Sequence, residues 1–383
     1  MNLNSQAGLY LHVPFCRTKC PYCSFYSFPA TTQDIRRYLE AVHTQMHQWA
    51  LLPEIQNLSF ATVFFGGGTP SILPVEALAR LLADMRRLFP LSGEHPEITI
   101  EVNPGTIDAD GLHQLRQAGF NRISIGVQSL NDRELQQLGR IHSGVEALST
   151  IASARRAGFD NCSFDLMYGL PGQTVGGWRE TLDRALALAP IHLSMYELTV
   201  EAGTPFYLQA EQQHWALPAE DEVLAMMAVT ETAVGRSGLV RYEISNYAVS
   251  GRECRHNCNY WQNGFYLGFG PGAVSAFGGG RRATVADLSA FCRLLAEGQP
   301  VWPEIEHLET EAAFRETVIM GLRMLSGVSV SALRQRFGLD LPTYYGQTLN
   351  LLLDQDVLVF QGDRLMLTIK GLLLANRVMA ELV

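Results

Sequence analysis

Between residues 8 and 198 one pattern recurs six times: a short β-rich apolar run followed by a stretch of different periodicity. The runs are "GLYLHV" (8–13), "FATVFF" (60–65), "EITIEV" (97–102), "RISIGV" (122–127), "NCSFDLMY" (161–168) and "IHLSMYEL" (191–198). The intervening stretches are helical. In "TTQDIRRYLEAVHTQMHQWALL", Ile35, Tyr38, Leu39, Val42, Met46 and Trp49 share one face, with Thr32 or Asp34 as the cap. Helices are also expected over 74–89, 108–119, up to Gly158, and over 174–188. Six β–α alternations predict a parallel sheet covered by helices, as a partial (β/α)6 or full TIM-like barrel of the α/β class. In such folds chemistry gathers at the C-terminal ends of the strands. The polar motifs fall there: three cysteines after strand one, "GGGTP" after strand two, Glu101 and Asn103, Gln128, and Asp165.

Past residue 200 the pattern changes. A long connection leads to a helix over 220–238 and a strand over "LVRYEIS" (239–245), and residues 248–282, rich in Gly, Asn and aromatics, read as an irregular functional loop. Helices near 309–325, 328–337 and 342–354, a hairpin turning at Gly362-Asp363 and a last helix predict a small winged-helix-like module. The expected division is a barrel over 1–240, a connecting region over 241–305 and a C-terminal domain over 306–383. A net charge of −9 with no basic block argues against nucleic acid as partner, for the module as for the whole chain. No apolar run reaches the ~18 residues of a membrane span, and the N-terminus lacks a signal-peptide pattern, so the cytoplasm is the expected compartment.

Three of the seven cysteines, Cys16, Cys20 and Cys23, fall within "CRTKCPYC". Without a secretory signal, such a cluster reads as a metal or redox site rather than a disulfide framework. Soft thiolates select zinc or an iron–sulfur cluster. A closed zinc site requires a fourth ligand, and no second C-x2-C half follows. Three thiolates on a four-iron cluster instead leave one iron open to a ligand.

"YLHVPFCRTKCPYC" resembles the radical S-adenosylmethionine superfamily, and order and spacing along the whole chain resemble the oxygen-independent coproporphyrinogen III oxidase-like group and, within it, the heme chaperone family. The resemblance implies a 4Fe-4S cluster on Cys16, Cys20 and Cys23 and S-adenosylmethionine on its open iron. It further implies cofactor contacts from Tyr10, Tyr22, Gly66, Gly67, Gly68 and Thr69 of "FFGGGTP", and from Glu101, Gln128, Arg140, Asp165 and Thr199. The residue types are suited to such contacts. Glycines let backbone approach a ligand, carboxylates accept from ribose hydroxyls or an ammonium, and Arg pairs with a carboxylate.

Two features sort the branches. The oxidase has a further cysteine where this chain has Phe25, and a longer segment ahead of its first strand. "HNCNYW" resembles the HNxxYW motif of the chaperone family, which makes His256, Asn257, Tyr260 and Trp261 candidates for heme contact, with His256 as a candidate axial ligand. The same residues also suit a loop packed over an aromatic core. Cys254 and Cys258 flank His256 as small apolar fillers, heme ligands or a second cluster site, and Val274 stands where the family usually has His. The expected function is a heme chaperone handing heme to an acceptor protein, with no catalytic residue assigned and a flavodoxin- or ferredoxin-type electron donor as a further partner. Oxygen-independent coproporphyrinogen III oxidation, another radical reaction on a tetrapyrrole, and a cluster-bearing scaffold without turnover are the alternatives.

Overall fold

The computed structural model of the chain describes residues 7–212 and 215–383. The first six residues, on which part of the signal-peptide reading rests, and residues 213 and 214 of the long connection lie outside that range. All six expected strands form: β1 (Ala7–Val13), β2 (Phe60–Gly67), β3 (Glu97–Val102), β4 (Arg122–Gln128), β5 (Asn161–Tyr168) and β6 (His192–Glu197). Each pairs in parallel with the next, which makes the partial (β/α)6 barrel.

The register separates two faces. On one, Leu11, Phe65, Ile100, Ile123 and Cys162 lie side by side. They join Val42, Met46 and Trp49 of helix α1 (Thr32–Ala50) and Leu78 and Leu82 of helix α2 (Val75–Leu88) in one core. Each such side chain contributes about 2 kcal/mol when fully buried. On the other face Tyr10, Phe64, Thr99 and Arg122 form one row, and Glu101, Ser124, Ser163 and His192 another. Packing therefore happens outside the barrel, and its inner wall is left polar.

Four expectations need correction. The cap of α1 is Thr31, in a capping box with Asp34, because the hydroxyl of Thr31 reaches the Asp34 amide. The helical region ending near Gly158 is two helices, Asp132–Gln137 and Gly144–Arg156. Residues 239–245 contribute only the two-residue strand Val240–Arg241, since Tyr242 and Ile244 bond instead to Leu325 and Arg323 of the C-terminal region. Residues 248–282 are ordered: helix Arg255–Trp261 is followed by strands Tyr266–Phe269, Val274–Phe277 and Gly280–Ala283. The first of these pairs in parallel with β1 and covers its edge. Turn-rich composition hid short strands whose role is to extend a sheet already formed.

Helix Arg255–Trp261 closes the floor of the barrel, at the N-terminal ends of the strands. The buried Glu97 carboxylate, at the start of β3, accepts from the amides of Arg255 and His256 at 3.1 and 3.0 Å, so an anion caps the helix N-terminus. Arg122 lies 3.9 Å from the same carboxylate, and both are nearly inaccessible to solvent. Beyond the floor, a second hydrophobic core gathers Phe314, Val318, Leu322, Leu349 and Leu365. It contains helices Thr310–Leu322, Val330–Phe337 and Leu341–Asp354 and the hairpin Leu358–Gln361 with Arg364–Leu367; the expected last helix is two short ones, Ile369–Leu373 and Ala375–Ala380. Among the described residues no helix is long and apolar enough to cross a membrane.

Glu97→Ala should remove the helix cap and leave Arg122 as an uncompensated buried charge, lowering unfolding stability by about 3 kcal/mol. Chemical denaturation checks this, and a loss below about 1 kcal/mol would show that the floor does not depend on this carboxylate.

Candidate functional site: the cysteine loop and the polar lumen

The cysteine loop leaves β1 and is tied back to it. Phe15–Cys16 pairs in parallel with Phe28–Pro29, and the Cys23 amide donates to the Cys20 carbonyl at 3.1 Å. His12 on β1 donates from Nε2 to the Tyr26 carbonyl at 2.9 Å, leaving Nδ1 to accept from the Tyr10 hydroxyl at 3.0 Å. Burial lowers the pKa of His12, consistent with this neutral form.

The glycine motif meets the loop from β2. A Cβ on Gly68 would lie 2.6 Å from the Phe15 carbonyl oxygen and 3.1 Å from Cys16 Sγ. Gly67 adopts φ 113°, and its Cβ would fall 2.6 Å from His12 Nδ1. Backbone thus packs where no side chain fits. Thr69 Oγ1 lies 3.6 Å from Cys16 Sγ and accepts from Asn103 Nδ2 at 2.8 Å.

Arg140 links the loop to the lumen wall. It donates to Asn103 Oδ1 at 2.7 Å, to the Gly126 carbonyl at 2.8 Å and to Cys20 Sγ at 3.7 Å, which places a cation beside a thiol. Its Nε is buried without a hydrogen-bond partner. Burial raises the pKa of Tyr22, with the neighbouring thiols adding to the rise and Arg140 opposing it; its ring packs edge-on against Phe206. Burial likewise pushes the Cys23 thiol up.

Below the loop, two carboxylates share the lumen. Glu101 Oε2 accepts from the Gly67 amide at 3.1 Å, and both Asp165 oxygens accept from Ser124 Oγ, at 3.0 and 3.2 Å. Burial, and then the Asp165 carboxylate, push Glu101 up to about 8. Asp165 is also raised by burial, against the hydroxyls of Ser124 and Ser194. Gln128 ends β4 at a register shift with φ 65°, a left-handed conformation for a residue with a side chain, and strain of this kind collects at ligand sites.

The structure brings together Tyr10, Gly66, Gly67, Gly68, Thr69, Glu101, Gln128, Arg140 and Asp165 around the mouth and lumen, with Tyr22 at the loop. Thr199 is exposed two residues beyond the end of β6. His256 lies apart, on the floor. It is 1 % exposed, its Nδ1 is 2.7 Å from Thr62 Oγ1, its Nε2 is 3.0 Å from the Tyr260 hydroxyl, and burial lowers its pKa to about 3. In this conformation neither ring nitrogen offers iron a free lone pair. Trp261 lies under the Arg323 guanidinium, 4.3 Å from the ring centre, and Asn257 is half-buried on the same helix. Cys254 is buried with Sγ 3.8 Å from Glu97 Oε1, and burial raises both it and Cys258.

Sequence reasoning passed over His12, Ser124, Ser194 and Tyr196. The signal was present: the barrel strands are polar or small at most alternate positions, Phe64 and Met167 being exceptions, and those positions line the lumen. Tyr196 keeps 39 % of its surface open to solvent although protein encloses it, as expected of a cavity wall.

The donor set fits a cluster better than a single ion. Two thiolates on one zinc stand about 3.8 Å apart, from bonds of about 2.3 Å in a tetrahedron. Among the described residues, the one trio of metal-capable side chains with all ligand atoms within 4.8 Å of one another lies elsewhere, so Cys16, Cys20 and Cys23 are spread wider than one ion allows. None of the three forms a disulfide. The glycine cradle and the paired carboxylates fit a ligand that carries positive charge.

Gly68→Ala should displace the cysteine loop, cutting iron and sulfide incorporated on reconstitution several-fold with the fold intact by circular dichroism; full incorporation would show the close approach to be dispensable. The folded pKa of Glu101 lies above its unfolded value, so its contribution to stability is present below about pH 4.5 and is lost as pH rises through about 8. The melting temperature of cofactor-free protein should therefore fall between about pH 5 and 8, and by less in Glu101→Gln; equal falls would overturn the assignment.

Residues 10–185 match the radical SAM superfamily and residues 308–374 the HemN C-terminal domain. The chain is 34 % identical to the heme chaperone HemW of Bacillus subtilis over 96 % of its own length and 97 % of that protein. It is 34 % identical to the mitochondrial radical S-adenosyl methionine domain-containing protein 1 of Danio rerio, over 85 % of this chain and 74 % of that one. Among solved structures, coproporphyrinogen III oxidase (HemN) of Escherichia coli, a radical SAM enzyme, is similar with a TM-score of 0.85 and 25 % identity, over 99 % of this chain and 90 % of that one. With a cysteine loop, glycine cradle and polar lumen in one barrel and a relative matched from end to end, the chain belongs to the HemW family of the radical SAM superfamily.

Proposed function

We propose that this protein is a heme chaperone that binds a 4Fe-4S cluster, S-adenosylmethionine and heme, and passes heme to an acceptor protein. The observation that carries the reading is the end-to-end likeness to the heme chaperone HemW. Cys16, Cys20 and Cys23 would hold the cluster, with the Arg140 guanidinium 3.7 Å from Cys20 Sγ. Gly66–Gly68, Thr69, Glu101, Gln128 and Asp165 would receive S-adenosylmethionine, and Tyr10 and Tyr22 would flank it. When bound, the cluster and S-adenosylmethionine supply one-electron reductive cleavage chemistry. The chain's residues would place that chemistry at the mouth of the lumen, and the cysteine loop would shield it. A flavodoxin- or ferredoxin-type donor would supply the electron.

Heme is the proposed cargo, with His256, Asn257, Tyr260 and Trp261 as the candidate contacts. Iron ligation by His256 requires its bond to Thr62 or Tyr260 to break. The division into a barrel over 1–240, a connecting region over 241–305 and a C-terminal domain over 306–383 belongs to this reading, with the middle region joining floor to C-terminal core. A cytoplasmic location belongs to it as well.

Coproporphyrinogen III oxidation is the second reading, favoured by the likeness to HemN. Against it, Phe25 takes the place of the oxidase-branch cysteine and is 66 % exposed beside the loop.

The deciding experiment uses protein purified without oxygen and reconstituted, mixed with S-adenosylmethionine and either heme or coproporphyrinogen III. A Soret shift with heme and no decarboxylated porphyrinogen is expected; turnover of the porphyrinogen would defeat the chaperone reading as sole function. Because both His256 nitrogens are engaged, His256→Ala should lower stability yet keep the heme Soret band. Loss of the band in a folded variant would make His256 an axial ligand.

A further inference from the structure

Two helices on the outside of the barrel bring together a cluster of side chains that the lumen does not use. His43 and His47 stand one turn apart on α1, with ring centroids 4.4 Å apart, and Asp84 reaches them from α2. One ligand atom from each lies within 4.8 Å of the others. His43 Nε2 is 3.6 Å from Asp84 Oδ2, too far for a hydrogen bond. Two ligands on one tetrahedral ion with bonds of about 2.1 Å stand roughly 3.4 Å apart, so this gap suits a shared ion.

The fourth participant is Arg87. Its Nη2 donates to Asp84 Oδ1 at 2.9 Å and to His47 Nε2 at 3.2 Å. Arginine has only donors, so His47 Nε2 carries a lone pair, the state a metal requires. Arg87 thus supplies positive charge to a carboxylate and an imidazole that could together serve a dication.

We propose that His43, His47 and Asp84 form a site for a divalent transition-metal ion of the zinc class, with water completing the shell and Arg87 as the group displaced on binding. Two His at i and i+4 on one helix face is a spacing used by zinc sites. Imidazole with carboxylate suits zinc, nickel or copper rather than calcium or magnesium. The bound ion would staple α1, the helix that follows the cysteine loop, to α2, and stabilise the folded state by mass action.

The test is zinc titration of cluster-loaded protein under nitrogen, read by competition with a chromogenic zinc indicator. The cysteine-loop thiols are then occupied, and the remaining cysteines are common to all variants. The wild type should bind one zinc more than His43→Ala/His47→Ala, whose substitutions lie on the surface. Arg87→Ala should bind that zinc about fivefold more tightly, the scale of an exposed ion pair removed as competitor. Equal zinc stoichiometry in wild type and double variant, or no tightening in Arg87→Ala, would overturn the proposal.

Discussion

Two carboxylates held inside one barrel, Glu101 and Asp165, dominate the electrostatics of this protein. Burying one ionised carboxylate is costly, and a second nearby raises the cost, which is why Glu101 is pushed up to about 8. A fold that only needed stability would fill these positions with Val or Ile, as a packed barrel does. Here most apolar packing is moved to the outer face, where Leu11, Phe65, Ile100 and Ile123 meet the helices. The inner wall is thereby free to carry polar groups, and Arg122 and Arg140 stand among them as cations facing Asp165.

The two ends of the lumen are built by different means. The mouth depends on the absence of side chains: Gly67 and Gly68 let β2 approach the cysteine loop, and Arg140 bridges loop and wall. The floor depends on buried hydrogen bonds: Glu97 caps a helix, and His256 spends both nitrogens on Thr62 and Tyr260. Between them, Tyr10 and Phe64 form an aromatic column, with Phe64 stacked on His256 at 5.1 Å. The segment His256–Trp261 is thus in ring contact with the lumen wall through His256 while lying at its far end.

Much of this was legible in the sequence. Strand-length apolar runs placed all six strands, because burial on a helix-covered face demands them. The cysteine spacing, the glycine triplet and Glu101, Gln128 and Asp165 were each found at strand ends. The failures share a cause. Residues 248–282 form strands only because β1 already offers an edge, and Thr31 is a cap only because Asp34 answers it. His256 looked available as a ligand because a sequence does not display that Thr62, 194 positions away, would accept or donate at its Nδ1. Local pattern reports what a residue can do; long-range contact decides what remains free to do it.

Phe25 illustrates how the two kinds of information combine. By sequence it is a departure, a ring where the oxidase branch has a thiol. By structure it is exposed on the cysteine loop, where its carbonyl accepts from Lys19 and Ser27. A thiol at that point would stand on the outer surface beside Cys16, Cys20 and Cys23. An exposed phenyl ring stabilises nothing in the folded chain by itself, since its apolar area stays in water.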